Sequence, residues 1–171
     1  MSHHAGSVHD NKRADPLRGK GEAMKPSAVI VDVDGTLCDV SAVRHHVAGP
    51  GRRNFDAFHS GSADCPPHAE AIDWVEQMSD AGHHILVVTA RMEQWRSLTQ
   101  TWLDNHLTRP FTELVMRANR DFRPDREVKR EIHAALSRRF TITAACDDNP
   151  SIVALWNEIG IPVKVIPGWP G

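Results

Sequence analysis

From Ser27 onward, short apolar runs alternate with stretches whose apolar residues recur at helical spacing. Ala28-Val29-Ile30-Val31 is a β-branched run that ends on acidic residues, and His84 to Thr89 (His-Ile-Leu-Val-Val-Thr) is a second run of the same kind. Glu113-Leu114-Val115-Met116, Phe140 to Cys146 and Val163-Lys164-Val165-Ile166 complete a set of five predicted strands. Helical periodicity fills the gaps. Ala69, Ile72 and Val75 share one face; Trp95, Leu98, Trp102 and His106 share another. Val128, Ile132, Ala135 and Leu136 follow at i, i+4, i+7 and i+8, and Ile152, Trp156 and Ile159 mark a last helix.

Strands separated by helices of this length must run parallel, joined by right-handed crossovers. The expected architecture is therefore α/β: a doubly wound, Rossmann-like parallel sheet of about five strands with helices on both faces, in one domain over residues 25–171. Residues 1–24 are polar, rich in His, Gly and charge and without periodicity, and read as a disordered extension. A doubly wound sheet carries its site at the carboxyl ends of its strands. Polar residues do follow the apolar runs: Asp32 and Asp34 after the first, Thr89 and Arg91 after the second, Arg117 after the third, Asp147 and Asp148 after the fourth.

Composition narrows the class without naming it. The 171 residues are 40% hydrophobic and 25% charged, ordinary for a globular protein with a real core. No apolar run approaches the roughly 18 residues that span a bilayer, and the basic N-terminus lacks the apolar segment of a secretory signal. Cys38, Cys65 and Cys146 have neither the number nor the spacing of a disulfide framework or zinc site, which fits a reducing cytoplasm. The tryptophans fall mostly on helical faces, where packing is the default role. The net charge of −2 conceals a local asymmetry. Between Arg109 and Arg139 nine basic residues face five acids, either a solvated helix face or a surface for a polyanion.

The chemistry starts at Asp32-Val33-Asp34-Gly35-Thr36-Leu37. Two carboxylates two residues apart would point to opposite faces of a continuing strand. Gly35 frees the chain to turn, so both can reach one pocket. One carboxylate can attack phosphorus. The other, kept protonated by its anionic neighbour, can protonate the leaving oxygen and later activate water. Thr36 offers a hydroxyl and an N–H to phosphate oxygens. Like-charge repulsion between carboxylate and phosphate calls for cations. Asp147-Asp148 supplies hard oxygen ligands for Mg²⁺, and Thr89-Ala90-Arg91 has a hydroxyl and an N–H for phosphate or, equally, for capping a helix. With Val128 as origin and about 100° per residue, Asp125 falls near about 60° and Lys129 near about 100°, on or beside the buried face of their helix. Lys129 is placed to neutralise a phosphorylated aspartate.

In that order, Asp32-Val33-Asp34-Gly35-Thr36-Leu37, Thr89, Lys129 and Asp147-Asp148 resemble the four motifs of the haloacid dehalogenase superfamily of phosphohydrolases, over roughly residues 28–166. The resemblance implies Asp32 as nucleophile and Asp34 as general acid/base. It also implies Mg²⁺ on Asp32, the Asp34 carbonyl and an acid of the last motif, Asp148 ahead of Asp147, with phosphate on Thr89 and Lys129. Within the superfamily the chain resembles the 3′-phosphatase domain of bacteriophage-type polynucleotide kinase/phosphatases. Gly51-Arg52-Arg53-Asn54-Phe55-Asp56, Thr89-Ala90-Arg91, Met116-Arg117 leading to Arg123-Pro124-Asp125-Arg126-Glu127-Val128-Lys129, and Cys146-Asp147-Asp148 carry that likeness. It adds Arg52, Arg91, Arg117 and Asp125 to the site, with Arg44 and Arg53 as nearby competitors of Arg52. The kinase half of such enzymes has a Gly-x-x-x-x-Gly-Lys-Ser/Thr loop, and this sequence has none, so removal of phosphate rather than transfer from ATP is expected.

Three readings compete. A phosphatase of 3′-phosphorylated nucleic-acid ends fits the short interval of about 50 residues between the first two motifs, which leaves room for only a minimal cap and an open site. A phosphatase of nucleotides or other small molecules is the second, with a homo-oligomer as source of the missing lid. A phospho-accepting receiver domain also uses acids, a Thr and a Lys on a doubly wound sheet, but it expects its acidic pair early and its acceptor mid-chain, the reverse of the order here.

Overall fold

The computed structural model describes residues 23–168, and the expected extension lies almost wholly outside them. Five strands form one parallel sheet: β1 (Ser27–Val31), β2 (His84–Met92), β3 (Glu113–Arg117), β4 (Thr141–Asp147) and β5 (Val163–Val165), in the order β3-β2-β1-β4-β5. Between them lie α1 (Phe55–Gly61), α2 (Ala69–Asp80), α3 (Arg96–His106), α4 (Asp125–Leu136) and α5 (Pro150–Glu158). The doubly wound expectation holds. None of these helices is long and apolar enough to cross a membrane.

The pleat sorts the core into two layers. Val29 and Val31 of β1, with Ile85 and Val87 of β2, join a cluster that includes Ala71 and Val75 of α2 and Trp102 and Leu103 of α3. The alternate residues Ala28, Ile30, Leu86 and Val88 pack with Leu136 of α4 and Ile152, Leu155 and Trp156 of α5. Burial on both faces is why β1 and β2 read as continuous apolar runs rather than alternating ones.

One helical face differs from its expected phase, and a second departs from expectation at a single residue. A 3-10 turn over Glu93–Trp95 precedes α3, so Trp95 lies outside the helix. The buried residues of α3 are Thr99, Trp102 and Leu103 instead of the expected Trp95, Leu98, Trp102 and His106. In α4 the buried residues are Val128, Lys129 and Leu136, while Ala135 is exposed. A small side chain satisfies an apolar pattern without having to be buried, which is why that pattern misled.

The sheet also bends at its working edge. Thr89 pairs with Met116, yet Met92 pairs with the very next residue, Arg117, so Ala90 and Arg91 are extra residues on β2. Such a bulge re-aims side chains. Between β1 and α2 the chain makes a small insert of 3-10 turns and α1, the minimal cap expected from the interval between motifs.

The phase of α3 gives a direct test. Leu103→Ala, in a fully buried position, should cost roughly 2–5 kcal/mol in urea unfolding. Leu98→Ala should cost less than half as much, whereas the phase expected from sequence requires the reverse.

Candidate active site

β1 delivers Asp32 to the carboxyl edge of the sheet, where its N–H donates to Cys146 O of β4 at 3.1 Å. Gly35 then takes φ +85°, a left-handed conformation that costs glycine little. Bonds from Leu37 N–H to Asp32 O (3.3 Å) and Cys38 N–H to Val33 O (2.8 Å) close the loop. The turn brings Asp32 and Asp34 to one cavity of about 780 Å³. Any Cβ at Gly35 would collide with Asp148 Oδ2, and one at Gly168 would collide with Gly35 O, so both positions require glycine for close approach. Arg44 donates to the Gly168 carbonyl and holds that segment down.

Lys129 reaches in from α4 almost wholly buried. Its Nζ donates to Asp32 Oδ1 at 2.9 Å and Asp147 Oδ2 at 2.7 Å. Asp147 also accepts from Trp156 Nε1 at 3.4 Å and Asn149 N–H at 3.1 Å, so its carboxylate is fully committed. Asp148 differs. Its Oδ1 accepts from Thr36 Oγ1 at 2.9 Å, while Oδ2 is buried and has no partner among the described residues. Asp32, Asp147 and Asp148 offer oxygens within 4.8 Å of one another. Burial first, then the neighbouring carboxylates, push Asp32 well above the usual carboxylate range against the pull of Lys129. Burial pushes Asp148 up to about 6. Lys129 is raised as well: Asp147 and Asp32 overcome its desolvation and keep it charged.

Asp34 overturns the expectation that it is kept protonated by its neighbour. Arg91 Nε and Nη2 grip its two oxygens at 2.9 and 2.6 Å. Burial works to raise the Asp34 carboxyl, but the guanidinium prevails and holds it below the usual range. The remaining Arg91 donors go to Thr99 Oγ1 (3.1 Å) and Ser62 Oγ (2.9 Å), tying the site to α3 and to the end of α1. Arg91 is thus spent on Asp34 rather than free for phosphate. The sequence could not show this, because the β2 bulge places it.

Other expected site residues shift as well. Thr36 is fully buried behind the cavity with its hydroxyl on Asp148, so it orders the acids instead of facing phosphate. Thr89 lines the cavity and accepts from Arg91 N–H at 3.2 Å; β2 runs on to Met92, so no helix is capped there. Arg117 donates to Ala90 O (3.0 Å), Asp121 O (2.9 Å), Arg123 O (2.7 Å) and Asp125, and so pins the β3–α4 loop. Asp125 borders the cavity but is half exposed, not buried. Arg52 lies outside and Arg53 lines the wall, since successive side chains of an extended segment diverge. His59, Trp95 and Phe122 line it too, and none was singled out for the site. The Trp95 role also departs from the expectation of packing alone.

The basic stretch is largely neutralised. Arg109 pairs with Asp80, Arg117 with Asp125, Arg123 with Asp121 and Glu131, Arg126 and Arg130 with Glu158, and Arg139 with Glu113. Lys129 is buried among acids. Asp80 and Glu158 lie outside the stretch in sequence, so part of the excess of charge counted there is offset in space.

The sequence model of the family described as "Polynucleotide kinase PNKP phosphatase domain", of the haloacid dehalogenase superfamily, matches residues 26–167. The chain belongs to this family. It is a phosphoric monoester hydrolase by that membership, and the receiver reading falls away. Among solved structures, a chain of the Pnkp1/Rnl/Hen1 complex superposes with TM-score 0.70 at 22% identity, over 85% of this chain and 47% of that one. The class C acid phosphatase from Bacillus anthracis with tungstate bound gives 0.59 at 20%, covering 78% and 55%. CbbY from Rhodobacter sphaeroides in complex with phosphate gives 0.56 at 13%, covering 84% and 87%. At these identities the likeness establishes the fold. The chain spans about half the length of the Pnkp1-complex chain.

In this phosphatase domain Arg91→Ala should leave Asp34 as an uncompensated, mostly buried charge, at a cost of roughly 3–5 kcal/mol at neutral pH. Because the paired carboxyl has a lowered pKa, its stabilising effect is present above the unfolded value and lost as pH falls through the folded one. The variant's Asp34 takes up a proton earlier. The stability gap between wild type and variant should therefore narrow from pH 7 to pH 4 in denaturant titrations; a gap that widens contradicts the pairing.

Proposed function

We propose that this domain removes 3′-phosphates from nucleic-acid ends through an aspartyl-phosphate on Asp32, with Mg²⁺ as cofactor. The observation that carries the chemistry is Asp32 itself: a carboxyl at the cavity wall, with one oxygen held by Lys129 and a fixed acid/base, Asp34, on the same turn. Burial raises its pKa, and a bound divalent cation would bring it back down and leave the attacking carboxylate ionised. Asp32 attacks phosphorus as the bond to the leaving oxygen breaks, and Asp34 delivers a proton to that oxygen. Arg91 keeps Asp34 ionised at rest, so the proton is acquired when an anionic phosphate enters beside it and opposes its charge. Asp34 then takes a proton from the water that attacks the phosphorus. The Asp32–phosphorus bond breaks, and inorganic phosphate leaves. Its ionised resting state suits this second step. Lys129 offsets the charge on Asp32 throughout, and Thr89 faces the phosphate from the end of β2.

The residues fit a divalent cation. Among the described residues, Asp32, Asp34 and Asp147 are paired with two buried cations, Lys129 and Arg91, and the unpartnered Asp148 Oδ2 is an open hard-oxygen ligand. Asp32 and Asp148 would hold Mg²⁺, with Asp147 fixing Lys129. When bound, the ion supplies charge neutralisation for the phosphate oxygens.

Family membership and the wide cavity beneath a minimal cap support a polymer end as substrate. Most cations of the 109–139 stretch are spent on acids of the chain, which weakens the case for a long backbone track, so recognition is assigned to the end itself. Parallel turnover of a 3′-phosphorylated oligonucleotide, a 5′-phosphorylated one and nucleoside 3′- and 5′-monophosphates tests the assignment. The 3′-phosphorylated oligonucleotide should have the lowest KM. Preference for the 5′ end rejects the assignment, and equal KM values for oligonucleotide and mononucleotide favour a small-molecule phosphatase.

Asp32→Asn should lower turnover about a thousandfold or more, at least ~4 kcal/mol in activation free energy, with the fold intact by circular dichroism. One tenth of wild-type turnover in that variant excludes the covalent route. Chelator should abolish activity and Mg²⁺ restore it. Asp148→Ala should weaken Mg²⁺ binding in calorimetry more than Asp147→Ala does.

A further inference from the structure

Arg120, in the loop that joins β3 to α4, takes φ +64°. Every other positive φ among the described residues belongs to a glycine. Asp121 N–H donates to Ala118 O at 3.2 Å, so Arg120 is the third residue of a turn. Turns with positive φ at that position are normally built with Gly or Asn there. In this conformation the Cβ of any other residue crowds the following carbonyl, so the backbone favours replacing the arginine. What arginine brings to the position is its side chain.

That side chain is exposed, and among the described residues no acid or carbonyl holds its guanidinium. Nearby cations differ: Arg117 pairs with Asp125, Arg123 with Asp121 and Glu131, and Arg126 and Arg130 with Glu158. Arg138 also lacks an acid partner among the described residues, but it lies between α4 and β4, at the end of the sheet remote from the site. Arg120 is instead fixed at the cavity mouth. Asp121 and Phe122, which follow it, line the cavity, and so does Gln94, whose N–H donates to Asn119 Oδ1 at 2.9 Å. Arg117 donates to the carbonyls of Asp121 and Arg123 and holds the rest of the loop. The backbone is thus anchored on both sides of Arg120, and a strained turn presents an uncommitted cation between the anchors.

A strand whose 3′-phosphate reaches Asp32 carries its next negative charge one nucleotide back, towards the mouth. A guanidinium suits that group, because its planar fork donates to both free oxygens of a phosphodiester. A mononucleotide has no phosphodiester to offer. We propose that Arg120 is a specificity-determining residue: it binds the phosphodiester adjoining the terminal nucleoside and so sets the preference for a strand over a mononucleotide. This inference rests on the 3′-end reading above and deepens it. One cation at the rim, in place of a basic track, tells polymer from monomer.

The test removes the charge from each side of the contact in turn. Its substrates are a dithymidine 3′-phosphate with the natural phosphodiester and the same molecule with a neutral methylphosphonate in that linkage. In wild type the methylphosphonate should raise KM about tenfold, the order of a hydrogen bond between charged groups. In Arg120→Gly and Arg120→Asn the ratio should fall below about twofold, since the partner is already gone. For the natural dinucleotide, the slope of log KM against log salt should weaken by about 0.7, one phosphate contact on a single strand. Gly and Asn both accept the turn, so neither variant should melt below wild type. Melting temperatures that fall in both show a side chain serving the fold and overturn the proposal. An unaltered ratio assigns the phosphodiester to another cation, such as Arg53 of the cavity wall, and overturns it too, as do equal KM values for the two linkages in wild type. Failure of the 3′-end reading shows itself separately, as turnover of the matched 5′-phosphorylated dinucleotide instead; the two linkages compared on that molecule then decide the rim contact by the same outcomes. Turnover of neither dinucleotide overturns both.

Discussion

The Lys129 ammonium, caught between Asp32 and Asp147, is the contact on which the site depends. Two carboxylates side by side in a buried setting repel, and removing either from water costs several kcal/mol. One ammonium between them relieves both penalties at once and joins the helix face of α4 to the ends of β1 and β4. Arg91 does the same for Asp34 on the other side of the loop, with Thr99 and Ser62 completing its hydrogen bonds. The catalytic turn is therefore held by two buried cations of different shape: a point charge shared by two acids and a planar fork fitted to one.

The fold was legible because β1 and β2 are buried on both faces and so stand out as uninterrupted apolar runs. The acid motifs were legible because Asp32, Asp34, Asp147 and Asp148 sit where such strands end. Lys129 could be placed from helix geometry alone, since a charge on an apolar face has few other destinations. What sequence could not carry was partnership. Whether Arg91 and Arg117 meet phosphate or protein depends on a bulge in β2 and on loop carbonyls, neither of which leaves a residue-type signature. The apparent basic stripe is weaker in space than in sequence for a related reason: Asp80 and Glu158 oppose it from distant parts of the chain.

Trp95 and Thr36 show the same limit at smaller scale. A 3-10 turn before α3 moves Trp95 from a packing face to the cavity wall. The loop around Gly35 carries Thr36 inward, where its single hydroxyl proton serves Asp148. In each case the residue type was informative about chemistry and silent about direction. The cavity thus divides into a charged floor supplied by strand ends and an aromatic wall supplied by the insert and loops, and only the floor follows from the strand pattern.

The closure of the site around Gly35 and Gly168 bears on how the protein is made. Lys129 lies 97 residues after Asp32, Thr36 and its partner Asp148 are 112 apart, and Arg44 reaches Gly168 across 124. A ribosome that has delivered β1 through α3 has made Asp32 and Arg91 but nothing to compensate Asp32. The nascent acid must then stay hydrated, and β1 cannot settle at the centre of its sheet, until α4 and β4 emerge. Such non-local pairing makes folding slow and late. The stretch after β5, up to the glycine that seats against the Gly35 carbonyl, reaches the site later still, so a chain cut just before it would carry every motif and lack the contacts that close the Gly35 loop.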